Sequence, residues 1–120
     1  MIGASTSSTI TGNGTTSTIT NFGSVINDQT TGFTLGNSDN GKIIVINSAS
    51  ATTITVPSLS VGFNCMIVQR GAGQVTLSAS GSGVTISNRY GFNKTAGQSS
   101  IITLVCIASG VYIASGDMTN

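Results

Sequence analysis

The chain has no histidine, no tryptophan and no glutamate, one proline, and four basic against three acidic residues in 120. Each shortage excludes something. Without histidine there is no imidazole base to activate a Ser or Cys nucleophile, and no imidazole to complete a zinc site. The three carboxylates, Asp28, Asp39 and Asp117, lie far apart in sequence. Each reads as a turn or solvated residue, and nothing in their distribution suggests the converging pair that glycoside hydrolysis needs. Calcium would need more convergent carboxylates, which leaves open only a loop site built from Asp39 and backbone oxygens. A net charge of +1 gives no field to steer toward nucleic acid or an anionic membrane. Three cations, Arg70, Arg89 and Lys94, make a poor nucleic-acid footprint. The longest apolar runs, within 42–46 and 101–107, fall far short of the ~20 residues of a membrane helix. Residues 1–8 carry no basic and then apolar leader pattern. Gly71-Ala72-Gly73 is not followed by lysine at phosphate-loop spacing. No cofactor or metal is expected.

The two cysteines, Cys65 and Cys106, sit in apolar strand-like runs and match no zinc spacing. They read as buried free thiols, with a disulfide open if their strands are neighbours. The low charge, 6% of residues beside a mean hydropathy of +0.32, leaves a surface of hydroxyls, amides and surplus apolar groups. Such surfaces associate, which points to an oligomer or an assembly component.

What is present is Thr, Val, Ile, Ser and Gly in strand-and-turn order. Strands are expected near 42–47, 52–56, 63–70, 74–79, 84–87, 100–107 and 111–115. Turn signals separate them: Asn40-Gly41, Pro57, Gly71-Ala72-Gly73, Gly81-Ser82-Gly83 and Ser109-Gly110. The pattern predicts an all-β fold, a small β-sandwich or barrel of about seven short antiparallel strands over 41–120. In Thr53-Ile54-Thr55-Val56 and Val75-Thr76-Leu77-Ser78 apolar and hydroxyl residues alternate, as in a half-buried strand. Ile43–Ile46 and Ile101–Ile107 are apolar on both faces and need a second cover, from the N-terminal segment or a neighbouring subunit.

Residues 1–40 are rich in Ser, Thr, Gly and Asn. Ser8-Thr9-Ile10-Thr11 returns as Ser17-Thr18-Ile19-Thr20. The segment reads as a linker or as an extended arm that orders against a partner. In the second case Ile10, Ile19, Phe22, Val25 and Ile26 are its anchors. Tyr90 and Phe92 lie in a Gly/Asn-rich loop over 87–98, and either fold back onto the core or make an exposed contact with a glycan or protein.

Gly41-Lys42-Ile43-Ile44-Val45-Ile46, Ala51-Thr52-Thr53-Ile54-Thr55-Val56-Pro57, Ile67-Val68-Gln69-Arg70-Gly71-Ala72-Gly73-Gln74-Val75-Thr76-Leu77 and Gly110-Val111-Tyr112-Ile113-Ala114-Ser115 follow one another in an order that resembles a β-rich module. Such modules occur in virion proteins of tailed bacteriophages: capsid decoration (cement) proteins, head fibres and tail fibres. The resemblance spans about two thirds of the chain and has no fixed site to transfer. It implies a non-enzymatic homotrimer, made in the host cytoplasm and placed on the outer capsid surface. Its partners would be further copies of itself and the major capsid protein or another virion protein, with no nucleic acid and no membrane. A start at Met1 and a length of 120 residues favour a small accessory subunit. The alternative expectation is a receptor-binding fibre or tail-tip domain. A bacterial adhesin is the third.

Overall fold

Strand alternation decides which side chains meet inside, and the computed structural model, which describes residues 23–120, shows how. Its strands are β1 (Ile26–Gln29), β2 (Phe33–Thr34), β3 (Ile43–Ile46), β4 (Thr52–Val56), β5 (Asn64–Gln69), β6 (Val75–Ala79), β7 (Thr85–Ser87), β8 (Lys94–Thr95), β9 (Ile101–Ala108), β10 (Val111–Gly116) and β11 (Met118–Thr119). One 3-10 turn covers Asn37–Asp39. All the strands expected from sequence are present, with ends moved by a residue or so. The short strands β1, β2, β8 and β11 were not expected.

The all-β class holds, but the antiparallel sandwich or barrel does not. The chain alternates between two sheets. Sheet I has the order β1-β3-β5-β9-β10-β7, and sheet II has the order β11-β8-β6-β4-β2. Successive passes therefore stack in parallel: β1 on β3, β3 on β5, β2 on β4 and β4 on β6. This is a solenoid-like coil with a repeat of roughly twenty residues. Antiparallel pairing enters only afterwards, where β9 joins β5, β10 joins β9, and β8 joins β6 and β11. β7 then lies parallel to β10.

The glycine turns explain the difference. Gly71-Ala72-Gly73 is a corner from sheet I to sheet II, stacked on the Ser48–Ser50 corner of the previous coil. A Cβ on Gly71 or Gly73 would strike the Ser48 or Ser50 carbonyl, and the Gly73 N–H donates to the Ser48 oxygen at 2.8 Å. Corners stacked at strand spacing leave no room for a side chain. Ser109-Gly110, by contrast, is a true hairpin turn, with Gly110 at φ 71°.

The core lies between the sheets. Ile44, Ile46, Ile67 and Leu104 of sheet I meet Ile54, Val56, Val75 and Leu77 of sheet II, all buried. Tyr112 on β10 is buried too, and its hydroxyl donates to the Pro57 carbonyl at 2.6 Å and accepts from the Leu59 N–H at 2.9 Å. That pair ties the late hairpin to the turn after β4. Cys65 and Cys106 are both buried and both free thiols. Burial, helped by the negative charge of Asp39, pushes the Cys65 thiol up to about 12.

Residues 26–34, assigned from sequence to an arm ending at 40, supply β1 to sheet I and β2 to sheet II. The scarcity of apolar residues there has a physical reason. Asn27 and Gln29 stand in register with the inward-facing Ile44 and Ile46, so the first coil turns amides toward the interior. Gln29 donates to Asn27 at 2.8 Å, and Asn27 donates to Asp39 at 2.9 Å. The Gly36 N–H also donates to Asp39, at 2.9 Å, and Lys42 lies 3.8 Å from it. This network is a polar cap on the first of the described coils, in which the amides and the carboxylate satisfy one another.

Candidate docking surface

Strand register places the outward residues of each sheet in rows. On sheet I, Ile26, Ile43, Met66 and Thr103 form one row across β1, β3, β5 and β9. Asp28, Val45, Val68 and Ile101 form the next. Asn64, Val105 and Ile113 form a third, reaching β10. Ile26, Ile101, Met66 and Ile113 are 50%, 47%, 40% and 39% exposed. Ile43, Val45, Val68 and Val105 beside them are half-buried. The result is one continuous apolar face centred on β5 and β9.

Sheet II differs. Thr34, Thr55 and Ser78 form one outward row. Thr53, Thr76, Lys94 and Thr119 form another. Every outward position in these rows is a hydroxyl or the Lys94 ammonium. Hydroxyls satisfied by water make this a finished surface, whereas the outer face of sheet I keeps much apolar area in water.

The loop after β7 forms a second, smaller feature. Asn88 holds it from inside: its Nδ2 donates to the Ala114 carbonyl at 3.0 Å. Its Oδ1 accepts the N–H of Tyr90 at 2.8 Å and of Phe92 at 3.2 Å. Phe92 packs against the core. Tyr90 projects outward, 66% exposed. The Tyr90 and Phe92 ring centroids are 5.5 Å apart, and the Arg89 guanidinium lies 5.3 Å from the Tyr90 ring centre. Phe92 thus folds back onto the core and Tyr90 does not.

The remaining site expectations fall as follows. Ile10, Ile19 and Phe22 lie outside the described residues. Val25 precedes β1, and its carbonyl accepts the Ile43 N–H at 3.0 Å. Ile26 is on the apolar face, so it belongs to a sheet. Asp39 is in the polar cap, Asp28 is exposed on β1, and Asp117 accepts a hydrogen bond from the Ser100 hydroxyl at 3.1 Å. Among the described residues no group of three or more His, Cys, Asp or Glu is placed to hold a metal ion. A cleft of about 240 Å³ lined by Asn37, Asn40, Ser60, Val61, Gly62 and Phe63 uses its amide oxygens internally. Asn37 accepts from the Ser60 N–H at 2.9 Å and Asn40 from the Asn64 N–H at 3.1 Å.

The contribution of Met66, Val68 and Ile113 to the apolar face was not singled out from sequence. Ile43–Ile46 and Ile101–Ile107, apolar on both faces, were the signal that could have led there. No known protein family and no curated protein matches the chain.

Proposed function

We propose that this chain is a non-enzymatic structural protein of a virion, a capsid decoration (cement) protein that binds the outer shell and stabilises it. The observation that carries the assembly part is the apolar outer face of sheet I beside the hydroxyl-covered face of sheet II. A subunit with one dry face and one wet face suits a place in a layer. The virion part rests on the resemblance of the sequence's strand-and-turn order to phage modules. A ligand that binds only the assembled shell stabilises it by mass action, in proportion to its occupancy. With so few charges to screen, binding should depend only weakly on salt.

The test adds full-length protein to shells lacking it, at low and high salt, and counts bound copies. Many copies per shell with little salt effect support the reading. Protein that ignores shells and binds host cells instead overturns it. That outcome favours the second reading, a receptor-binding fibre or tail-tip domain. The observation behind this alternative is Tyr90, exposed on a loop that Asn88 holds in place. Tyr and Arg are the residue types that anchor contacts, and a loop fixed in advance loses little entropy on binding.

A further inference from the structure

We infer that the occupant of the outer face of sheet I is a second copy of this chain, presenting the same face. This deepens the assembly reading and rests on it.

Charge is the first argument. The apolar rows carry a single charged side chain, Asp28, at the β1 edge, and the next charge along the central strand is Arg70, exposed one residue beyond β5. A basic, acidic or phosphate-rich partner would find a neutral surface with nothing to pair. The face of another copy is equally neutral, and its edges carry both signs, Asp28 and Asp117 against Lys42 and Arg70. In an isologous contact each copy presents both signs to the other.

Size is the second argument. Six strands at ~4.8 Å spacing and about six residues of length give a flat footprint of roughly 480 Å² before side-chain relief is counted. Asn64, Thr103, Ser115 and the hydroxyls of β7 share this footprint, so its apolar part lies within the ~300–600 Å² of the largest patch on a typical monomer. The whole footprint is within reach of the ~800 Å² of accessible surface per partner that a stable pair buries.

Shape is the third. The face is a β-sheet carrying Ile, Val and Met, the type of surface that packs on another sheet at about 10 Å with side chains interleaved. The contact turns the outer face of sheet I into a second core, and gives the strands that are apolar on both sides their second cover.

The test uses the full chain. Light scattering at tens of micromolar should give at least twice the monomer mass. Met66→Lys with Ile101→Lys should return the monomer mass while circular dichroism stays β-rich. A gentler pair of variants guards against misfolding. Thr103→Cys lies in the middle of the apolar face, and Thr76→Cys lies on the hydroxyl face. Cys65 and Cys106 are buried and stay silent. A bismaleimide of ~10 Å reach should join copies of Thr103→Cys and leave Thr76→Cys uncoupled. A monomer, or coupling through Thr76→Cys alone, overturns the inference. The two proposals fail separately. A monomer that still decorates shells removes the second copy and keeps the decoration role, with the shell as occupant. An oligomer that ignores shells does the reverse.

Discussion

The two outer faces of the coil come from strands of the same alternation and the same register, yet they differ in what they show to water. On sheet II the residues flanking buried Ile54 and Leu77 are Thr53, Thr55, Thr76 and Ser78. On sheet I the residues flanking buried Ile44, Ile67 and Ile102 include Ile43, Val45, Met66, Val68 and Ile101. Threonine and valine have nearly the same shape and similar strand preference, so the backbone tolerates both. Replacing a methyl with a hydroxyl changes only which solvent the face prefers. The strands of sheet I would thus tolerate hydroxyls at these positions, and the apolar face is the feature that the proposed contact accounts for.

The largest expected effect contrasts two neighbours on β5. Ile67 points inward and is fully buried, while Met66 points outward. Ile67→Ala should lower unfolding free energy by about 2–5 kcal/mol through lost burial and a cavity. Met66→Ala should change it by less than about 0.5 kcal/mol in dilute, dissociated protein. Urea titration of both variants reads the difference. Equal losses would mean that the chain already covers this face by itself.

The second concerns the interior that both faces share. Cys65 is raised from 9.0 in the unfolded chain to about 12 when folded. Above pH 9 the unfolded chain therefore sheds a proton that the folded one keeps. Stability should be intact below pH 9 and decline as pH rises toward 12, by roughly 4 kcal/mol at the limit of a three-unit shift. Tyr112 is shifted in the same direction, chiefly by burial, and adds to the decline. Denaturant midpoints measured from pH 8 to 11 check the slope, and Cys65→Val should make it shallower.

The third turns the sheet I face into the sheet II type. Ile43→Thr with Val68→Thr should keep the β signal and weaken self-association at least tenfold, since each residue loses buried apolar area. Sedimentation over a concentration series measures it. Unchanged association would place the contact elsewhere. The smallest effect is the converse. Thr53→Val with Thr76→Val should alter stability by no more than about 0.5 kcal/mol and raise turbidity at high concentration, because a second dry face then meets water.

Period-two alternation and glycine punctuation were enough to read the all-β class and the strands of 41–120 from the residues alone. The need for a second cover on Ile43–Ile46 and Ile101–Ile107 was legible too, because apolar residues at consecutive strand positions must face both ways. The path of the chain was not. A Gly-X-Gly turn looks the same whether it closes a hairpin or bends to another sheet, and only the stacking of Gly71 and Gly73 on Ser48 and Ser50 selects the corner. β1 and β2 were hidden because their stretch of chain puts the amides Asn27 and Gln29 at inward positions, which an apolar periodicity cannot register. Nor could the sequence gather Ile26, Met66, Ile101 and Ile113 into one surface. They lie on four strands, and the pairings that carry the face from β1 through β3 and β5 to β9 are long-range contacts that no local pattern encodes.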